Sequence, residues 1–579
     1  MRVILKYLRY VWFFAIAGIL FLFLQAMTEL WLPNMMSDLV DVGLVKLSGA
    51  DGQLSYIIIT GLKMLGIALL SVAGAVGTNF FSTKMAAELS KKLRHDVFEK
   101  VLSFANQEFD KFSTASLITR TTNDIQQLQN MLTQGIRILF FAPFMGLGSI
   151  TMAIRKSPSM TWILCIAVIT LLGVLLVIFA IAINKIKSLQ KLIDKLNLVS
   201  RENLTGVMVI RAFGNERYEE KRFEEANNKL RLTNRFVQRS VSVMQPVMNI
   251  IMNFTALAVV WFGAKAISVG TLEIGDMMAY ISYSMHVILS FLFVALTFIS
   301  LPRAMVSVNR VAEVLKTDVS IKNSEHLIAL NDIKGEVELR NVYFKYNNAD
   351  DYALKDISFV AKPGETTAII GATGSGKSTL VNLIPRFYDV SKGSVMIDGV
   401  DVRKTEMHEL RDLIGFVPQK CVLFSGDVES NLRFGKDDAD IDEINEALSV
   451  AQADFVYQME DKTKSGIEQG GKNVSGGQRQ RLAIARALVK KPPVYIFDGS
   501  FSALDLKTDA ALRKALKNYT ADSTVIIVAQ RISTIMKADQ IIVLDAGRIV
   551  GKGTHADLIK SCQEYIEIAQ SQLSKEELA

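Results

Sequence analysis

Apolar and polar positions divide this chain into two regions. Over the first three hundred residues, long apolar runs fall at about Tyr10–Leu32, Tyr56–Phe81, Ile138–Ile154, Met160–Ile183, Val241–Ile267 and Met277–Leu301. Each approaches or exceeds the roughly 20 residues that a helix needs to cross hydrocarbon, the third being the shortest. After Leu301 a charged stretch runs to about Asp332, and "GEVELRNVYFKY" then opens with the alternation of a strand. Beyond it, short apolar runs punctuated by glycine read as an α/β domain. The pattern predicts a multidomain membrane protein: a six-helix all-α transmembrane domain over 1–310, a linker over 311–334, and a soluble α/β domain over 335–579.

The first run follows the basic "MRVILKYLRY", as a signal peptide would, but it is too long and no small-residue cleavage site follows it. It is expected to stay as a membrane helix. The connections 33–55, 155–159 and 268–276 are short or modest. Those at 82–137 and 184–240 are long and carry "KKLRHDVFEK" and "NKIKSLQKLIDKL". The positive-inside tendency therefore puts the long loops, both termini and the α/β domain in the cytoplasm, with Arg155 and Lys156 as exceptions. Helical periodicity continues through the long loops, so their far tips, Phe109–Arg120 and Leu204–Glu216, should reach roughly 35–40 Å past the membrane. Phe112, Leu117, Ile210 and Phe213 at these tips call for a partner surface rather than solvent.

Composition adds few roles. Half of the 579 residues are hydrophobic, with the excess in the first region. The net charge of +7 is spread over the loops between apolar runs, without an Arg-rich tail or an aromatic-interleaved basic run, which argues against nucleic acid. Cys165, Cys421 and Cys562 share no metal-ligand spacing and read as reduced, passive thiols.

Chemistry enters at "TTAIIGATGSGKSTL", an apolar strand followed by G-x-x-x-x-G-K-S. Gly371, Gly374 and Gly376, with Thr373 and Ser375 between them, allow a loop whose N–H groups wrap phosphates. Lys377 would reach the terminal phosphates, Ser378 would place its hydroxyl on Mg²⁺, and the helix that carries Thr379 would aim its positive end at the same anions. Asp498, closing the apolar run "PPVYIFD", suits the second position of a Mg²⁺ shell, reached through water. In "NVSGGQRQRLAIARAL", Ser475, Gly476, Gly477 and Gln478 open a helix. That segment is either a second phosphate surface or a plain serine cap.

The succession Tyr346, "GATGSGKST", Gln419 in "FVPQ", "VSGGQ", "VYIFD" and "SALD" resembles the nucleotide-binding domain of ABC transporters. Six spans ahead of it resemble a half-exporter of that superfamily, with the type IV ABC exporter fold, over essentially the whole chain. The resemblance implies ATP and Mg²⁺ as cofactors, Tyr346 stacking on adenine, Gln419 sensing the metal, and Asp505 at a dimer seam. It also implies two domains sandwiching two ATP molecules, each held by one subunit's Lys377-type loop and the other's Ser-Gly-Gly edge. The loop tips would then be the coupling helices.

In that family a glutamate general base normally follows the strand-end aspartate, and a histidine follows the "VIIVA" strand. Here these positions hold Gly499 and Gln530. A positioned base contributes about 10²–10⁴ in rate, so ATP on this loop should bind well and turn over slowly. With the Ser-Gly-Gly edge intact, the resemblance implies the degenerate-site subunit of a bacterial heterodimeric multidrug exporter, whose partner half-transporter supplies Glu and His. "ELWLPNMMSDLVDVGL", "FSTASLITRTTND" and "FDGSFSALD" are similar to that group, although an acid is expected at 499 and glycine departs from it. The alternative is a homodimer with two impaired sites.

The expected setting is the plasma membrane of a bacterium, among lipids, and the expected cargo is hydrophobic or cationic drug-like compounds. A lipid flippase, a peptide exporter or a non-transporting regulatory subunit would share the sequence pattern. Peptide export with processing would call for a peptidase domain ahead of the first span, where none is seen. Glu29, late in the first span, would either attract cationic cargo or reach interfacial water. Met244, Met248 and Met252 recur at i+4, and Met278, Tyr283, Met285, His286 and Phe293 line the sixth span. Such stripes suit adaptable binding, but more commonly they pack helix on helix.

Overall fold

A computed structural model describes residues 2–46, 50–330, 332–347 and 349–573. The chain forms two compact units: Met1–Leu102 with Thr114–Thr317, and Ser103–Ser113 with Asp318–Ala579.

The first unit is all-α. Among the described residues, six helical stretches are long and apolar enough to cross a membrane: Lys6–Lys46, Gln53–Leu102, Thr114–Lys156, Pro158–Thr205, Glu216–Ser268 and Ile274–Val294. They contain the six expected runs, except that the sixth was expected to continue to Leu301. Its helix continues to Lys316, but the side chains of 295–303 lie outside the described residues. The linker expected from residue 311 therefore starts later. Val311 and Val314 are buried, so the helix gains packing through its last turns despite the surrounding charge. Leu62, Leu65, Leu69 and Val76 are exposed on the second helix, as positions facing lipid would be.

Packing settles the methionine stripe. Met244 and Met248 are buried with Ala167, Leu171, Ile251 and Ile288, and Met252 packs against that cluster. Tyr283 is buried and its hydroxyl donates to the carbonyl of Leu30 at 2.9 Å, joining the sixth helix to the first. Met278 and Phe293 are exposed.

One end of this unit explains the basic residue that violated the charge rule. Lys156 donates to Asp276 at 2.6 Å and to Ser37 at 3.1 Å, and the Ser37 hydroxyl also donates to Asp276 at 2.7 Å. The backbone N–H of Gly275 donates to buried Asp41 at 2.6 Å, and Lys46 pairs with Glu273 at 2.6 Å. This polar layer ties together the ends of the first, third and sixth helices. Lys156→Ala leaves Asp276 without its charged donor and should cost about 1–3 kcal/mol. The effect should appear as a lowered thermal midpoint of the purified chain. The Lys156→Ala/Asp276→Ala double variant should lose less than the sum of the singles, because the two groups interact directly.

The second unit is α/β. A six-stranded sheet runs in the order Arg548–Gly553, Gln540–Asp545, Thr366–Gly371, Thr524–Val528, Val494–Asp498, Ile414–Val417, parallel except for its first strand. Leu354–Ala361, Val337–Phe344, Lys392–Ile397 and Val400–Asp401 form a four-stranded antiparallel sheet. The parallel strands are apolar on both faces because helices and the second sheet cover them. Their carboxyl ends share one edge, where such sheets bind ligands.

The first loop tip lies earlier than the expected Phe109–Arg120. Its short helix is Asn106–Phe112, and residues from Thr114 onward belong to the other unit. Buried Glu108 accepts from the N–H of Ala105 at 2.8 Å and from that of Ser320 at 3.1 Å. Phe112 is buried and stacks on Phe104 at 5.8 Å. At the second tip Leu204 is exposed, as are Met208, Val209 and Phe213 of the helix Val207–Phe213.

Candidate functional site

Strand Thr366–Gly371 ends at the common edge, and the chain turns through the glycine-rich loop into helix Lys377–Leu383. Gly376 caps that helix with φ +100°, and a Cβ there would meet the Leu354 side chain at 2.8 Å, so only glycine fits. Lys377 folds back over the loop: its ammonium donates to the carbonyls of Gly371 at 2.8 Å and Ala372 at 2.7 Å. Ser375 is buried, whereas Thr373 and Gly374 are exposed at the crest. The ammonium is thus tethered to the backbone of the loop it follows.

Asp498 ends a fully buried strand and accepts from the Ser378 hydroxyl at 3.1 Å. Burial holds its carboxyl above the usual carboxylate range, against the opposing Ser378 hydrogen bond and the charge of Lys377. Burial pushes the Lys377 ammonium below its ordinary range, with Asp498 pulling the other way. A hydroxyl and a carboxylate at hydrogen-bond distance, beside a lysine, are a hard-oxygen donor set that fits Mg²⁺. Ser378 would ligate the ion, with Asp498 behind it. Bound there, the metal would neutralise phosphate charge. Because Mg²⁺ requires the ionised carboxylate, Mg²⁺-ATP affinity should be full at high pH and weaken as pH falls into the raised Asp498 range. Calorimetric titrations across pH would show this slope, and Asp498→Asn should flatten it.

Around this centre the structure gathers several of the other expected residues. Tyr346 bonds the Thr379 hydroxyl at 2.9 Å and meets Tyr388 edge-on at 5.4 Å. The Tyr388 hydroxyl in turn bonds the Asn106 side chain of the first tip, a link the sequence did not show. Gln419 follows strand Ile414–Val417, and a Cβ at position 499 would lie 3.2 Å from its Cγ. Gly499 itself adopts φ +61°, and its N–H donates to the Val528 carbonyl at 3.0 Å.

The Ser-Gly-Gly edge stands apart. Ser475 caps helix Gly476–Val489, accepting from Gln478 N–H at 3.3 Å, while Gln478 Oε1 accepts from Ser475 N–H at 2.8 Å. Among the described residues, no hydrogen bond joins Ser475, Gly476, Gly477 or Gln478 to the Lys377 loop. Ser475 and Gly476 are exposed, and a Cβ at 476 would meet nothing within 4 Å. The serine is a cap and also an open helix N-terminus. Asp505 caps helix Leu506–Tyr519, and the Thr508 N–H holds its carboxyl below the usual range. Gln530 is exposed, its carbonyl held by Gln572 at 2.8 Å.

Sequence reasoning also missed Gln480. Buried on the Ser475 helix, it donates to the Gly499 carbonyl at 3.2 Å and accepts from the Ala503 N–H at 3.2 Å. Its i+5 position from Ser475 was legible, but its partner 19 residues away was not.

A six-helix membrane unit and a phosphate-loop domain with a second, open helix N-terminus define a transporter half driven by ATP. Comparison with known proteins agrees. Residues 15–291 match the family described as ABC transporter transmembrane region, and 354–502 match that described as ABC transporter. An uncharacterized ABC transporter ATP-binding protein of Mycobacterium tuberculosis is 40% identical over 552 residues, covering 95% of this chain and 94% of that one. The ATP-dependent lipid A-core flippase of Pseudomonas aeruginosa is 32% identical over 518 residues, covering 88% and 84%. A solved bacterial Atm1-family ABC exporter with ATP bound superposes with TM-score 0.81 at 24% identity, covering 98% of this chain and 99% of that one. The chain belongs to the ABC transporter family, as a half-transporter with the type IV exporter fold.

Proposed function

We propose that this chain is the degenerate-site half of a heterodimeric exporter of drugs or other amphipathic hydrophobic compounds in a bacterial plasma membrane. The observation that carries the reading is the contrast between the two edges of its nucleotide domain. Where a base and a switch histidine would stand there are Gly499 and Gln530, while the Ser475 edge is intact and exposed. On this reading ATP and Mg²⁺ bind at Lys377, Ser378 and Asp498, with Tyr346 against the adenine, and act as a slowly turned-over clamp. Hydrolysis occurs on the partner's loop, capped by Ser475 and Gly477 of this chain. The nucleotide domain and both termini lie in the cytoplasm, as the basic long loops favour. The exposed apolar tip at Leu204–Phe213 is a docking element for the partner.

Isolation from the native membrane should yield an equimolar second half-transporter bearing Glu and His at the equivalent positions. Vesicles holding both halves should expel a hydrophobic dye only with ATP. A single-component complex that hydrolyses ATP briskly would defeat the reading. The flippase relatives favour a second reading, lipid translocation, which headgroup-labelled lipid movement in the same vesicles would reveal.

A further inference from the structure

The sequence left Glu29 balanced between two roles, because the apolar run around it ends at Leu32. The helix does not end there. It continues unbroken through Asp38, and the polar layer formed by Ser37, Lys156 and Asp276 lies eight or more residues beyond Glu29. At 1.5 Å per residue the carboxylate is about 12 Å inward of that layer. It does not reach interfacial water by standing at a helix end.

Four further observations converge on the same region. On the sixth helix, His286 lies ten residues from Asp276, about 15 Å inward of the same layer at the same rise per residue. Its Nδ1 is buried with no hydrogen-bond partner among the described residues, and the Tyr283 hydroxyl, three residues before it, bonds the carbonyl of Leu30, the neighbour of Glu29. Pro33 lies within the first helix and has no N–H to give to the carbonyl of Glu29, four residues earlier. The Gln25 amide donates to Glu29 Oε1 at 2.8 Å and orients the carboxylate, and no lysine or arginine pairs with it among the described residues. One turn further along the sixth helix, Ser290 and Phe291 line an apolar pocket of about 260 Å³ with Gly146 and Ile150 of the third helix. A carboxyl group without a basic partner, a freed acceptor and an imidazole thus share one level of the first and sixth helices, and one turn on from the imidazole the sixth helix borders an apolar recess.

We propose that Glu29 and His286 form the charged subsite for monocationic amphiphiles, with the neighbouring recess taking part of their apolar body. The proposal rests on the export reading above and names the substrate class for it. An unneutralised carboxylate inside hydrocarbon is costly, and a ligand cation relieves that cost.

Equilibrium binding of tetraphenylphosphonium to the full chain in lipid nanodiscs tests it, with uncharged triphenylphosphine oxide as the companion ligand. Glu29→Gln keeps the shape and the contact to Gln25, yet should weaken cation binding about tenfold or more, leaving the neutral ligand within about twofold. His286→Lys, which seats a fixed cation against Glu29, should do the same. ATP binding at Lys377 should be unchanged in both variants and reports their folding. Equal cation affinity in the variants, parallel loss of both ligands, or no cation binding by the unaltered chain would overturn the proposal. If the cation binds as expected but vesicles with both halves export nothing, the export reading fails and the site stands.

Discussion

Ser475→Ala in this chain is expected to lower ATP turnover of the assembled pair about a hundredfold, although Ser475 makes no hydrogen bond to this chain's own phosphate loop. The serine sits at the open N-terminus of a 14-residue helix, with exposed Gly476 beside it. Aligned peptide dipoles and free N–H groups there favour a phosphate brought in by another molecule. Losing one preorganised donor against developing charge costs about 10²–10³ in rate. Steady-state phosphate release from the pair measures it. Lys377→Ala should behave differently, abolishing nucleotide binding at this chain's loop while sparing most of the pair's turnover. If both variants reduced turnover equally, the two sites would be equivalent and the asymmetric reading would fall.

The largest gain of function should come from Gly499→Glu with Gln530→His. A general base supplies about 10²–10⁴ in rate. The structure sets a charge against that gain. Residue 499 has φ +61°, and a side chain there costs about 1–2 kcal/mol in left-handed backbone. The new Cβ would also lie 3.2 Å from Gln419 Cγ, so Gln419 must move. A cost of that size removes about 5- to 30-fold. The net gain at this site should therefore lie between about 3-fold and about 2,000-fold, read with the partner's own base removed. The single Gly499→Glu variant should also melt lower than the unaltered chain, while Gln530→His, at an exposed position, should not.

What could be read from the sequence was what is local. The phosphate loop, the strand-end Asp498 and the cap at Ser475 are each set by consecutive residues, and the six membrane helices by runs of composition. Features made by distant partners were not legible. Lys156 looked like a stray basic residue because Asp276 lies 120 positions away. Gln480 and Tyr388 carry no local signal, and only the fold sets them against Gly499, Tyr346 and Asn106. The first tip was placed too late for a related reason. Apolar Phe112 and Leu117 are both buried, but Ser113, at φ +55°, turns the chain between them and sends them into different units.

The side chain of Gln480 spans two loci with separate duties in the proposed pair. One of its ends holds the carbonyl beside the missing base, and its backbone belongs to the helix offered to the neighbour. A shift of the backbone at position 499 is therefore felt, through one side chain, by the helix whose N-terminus lies open at Ser475.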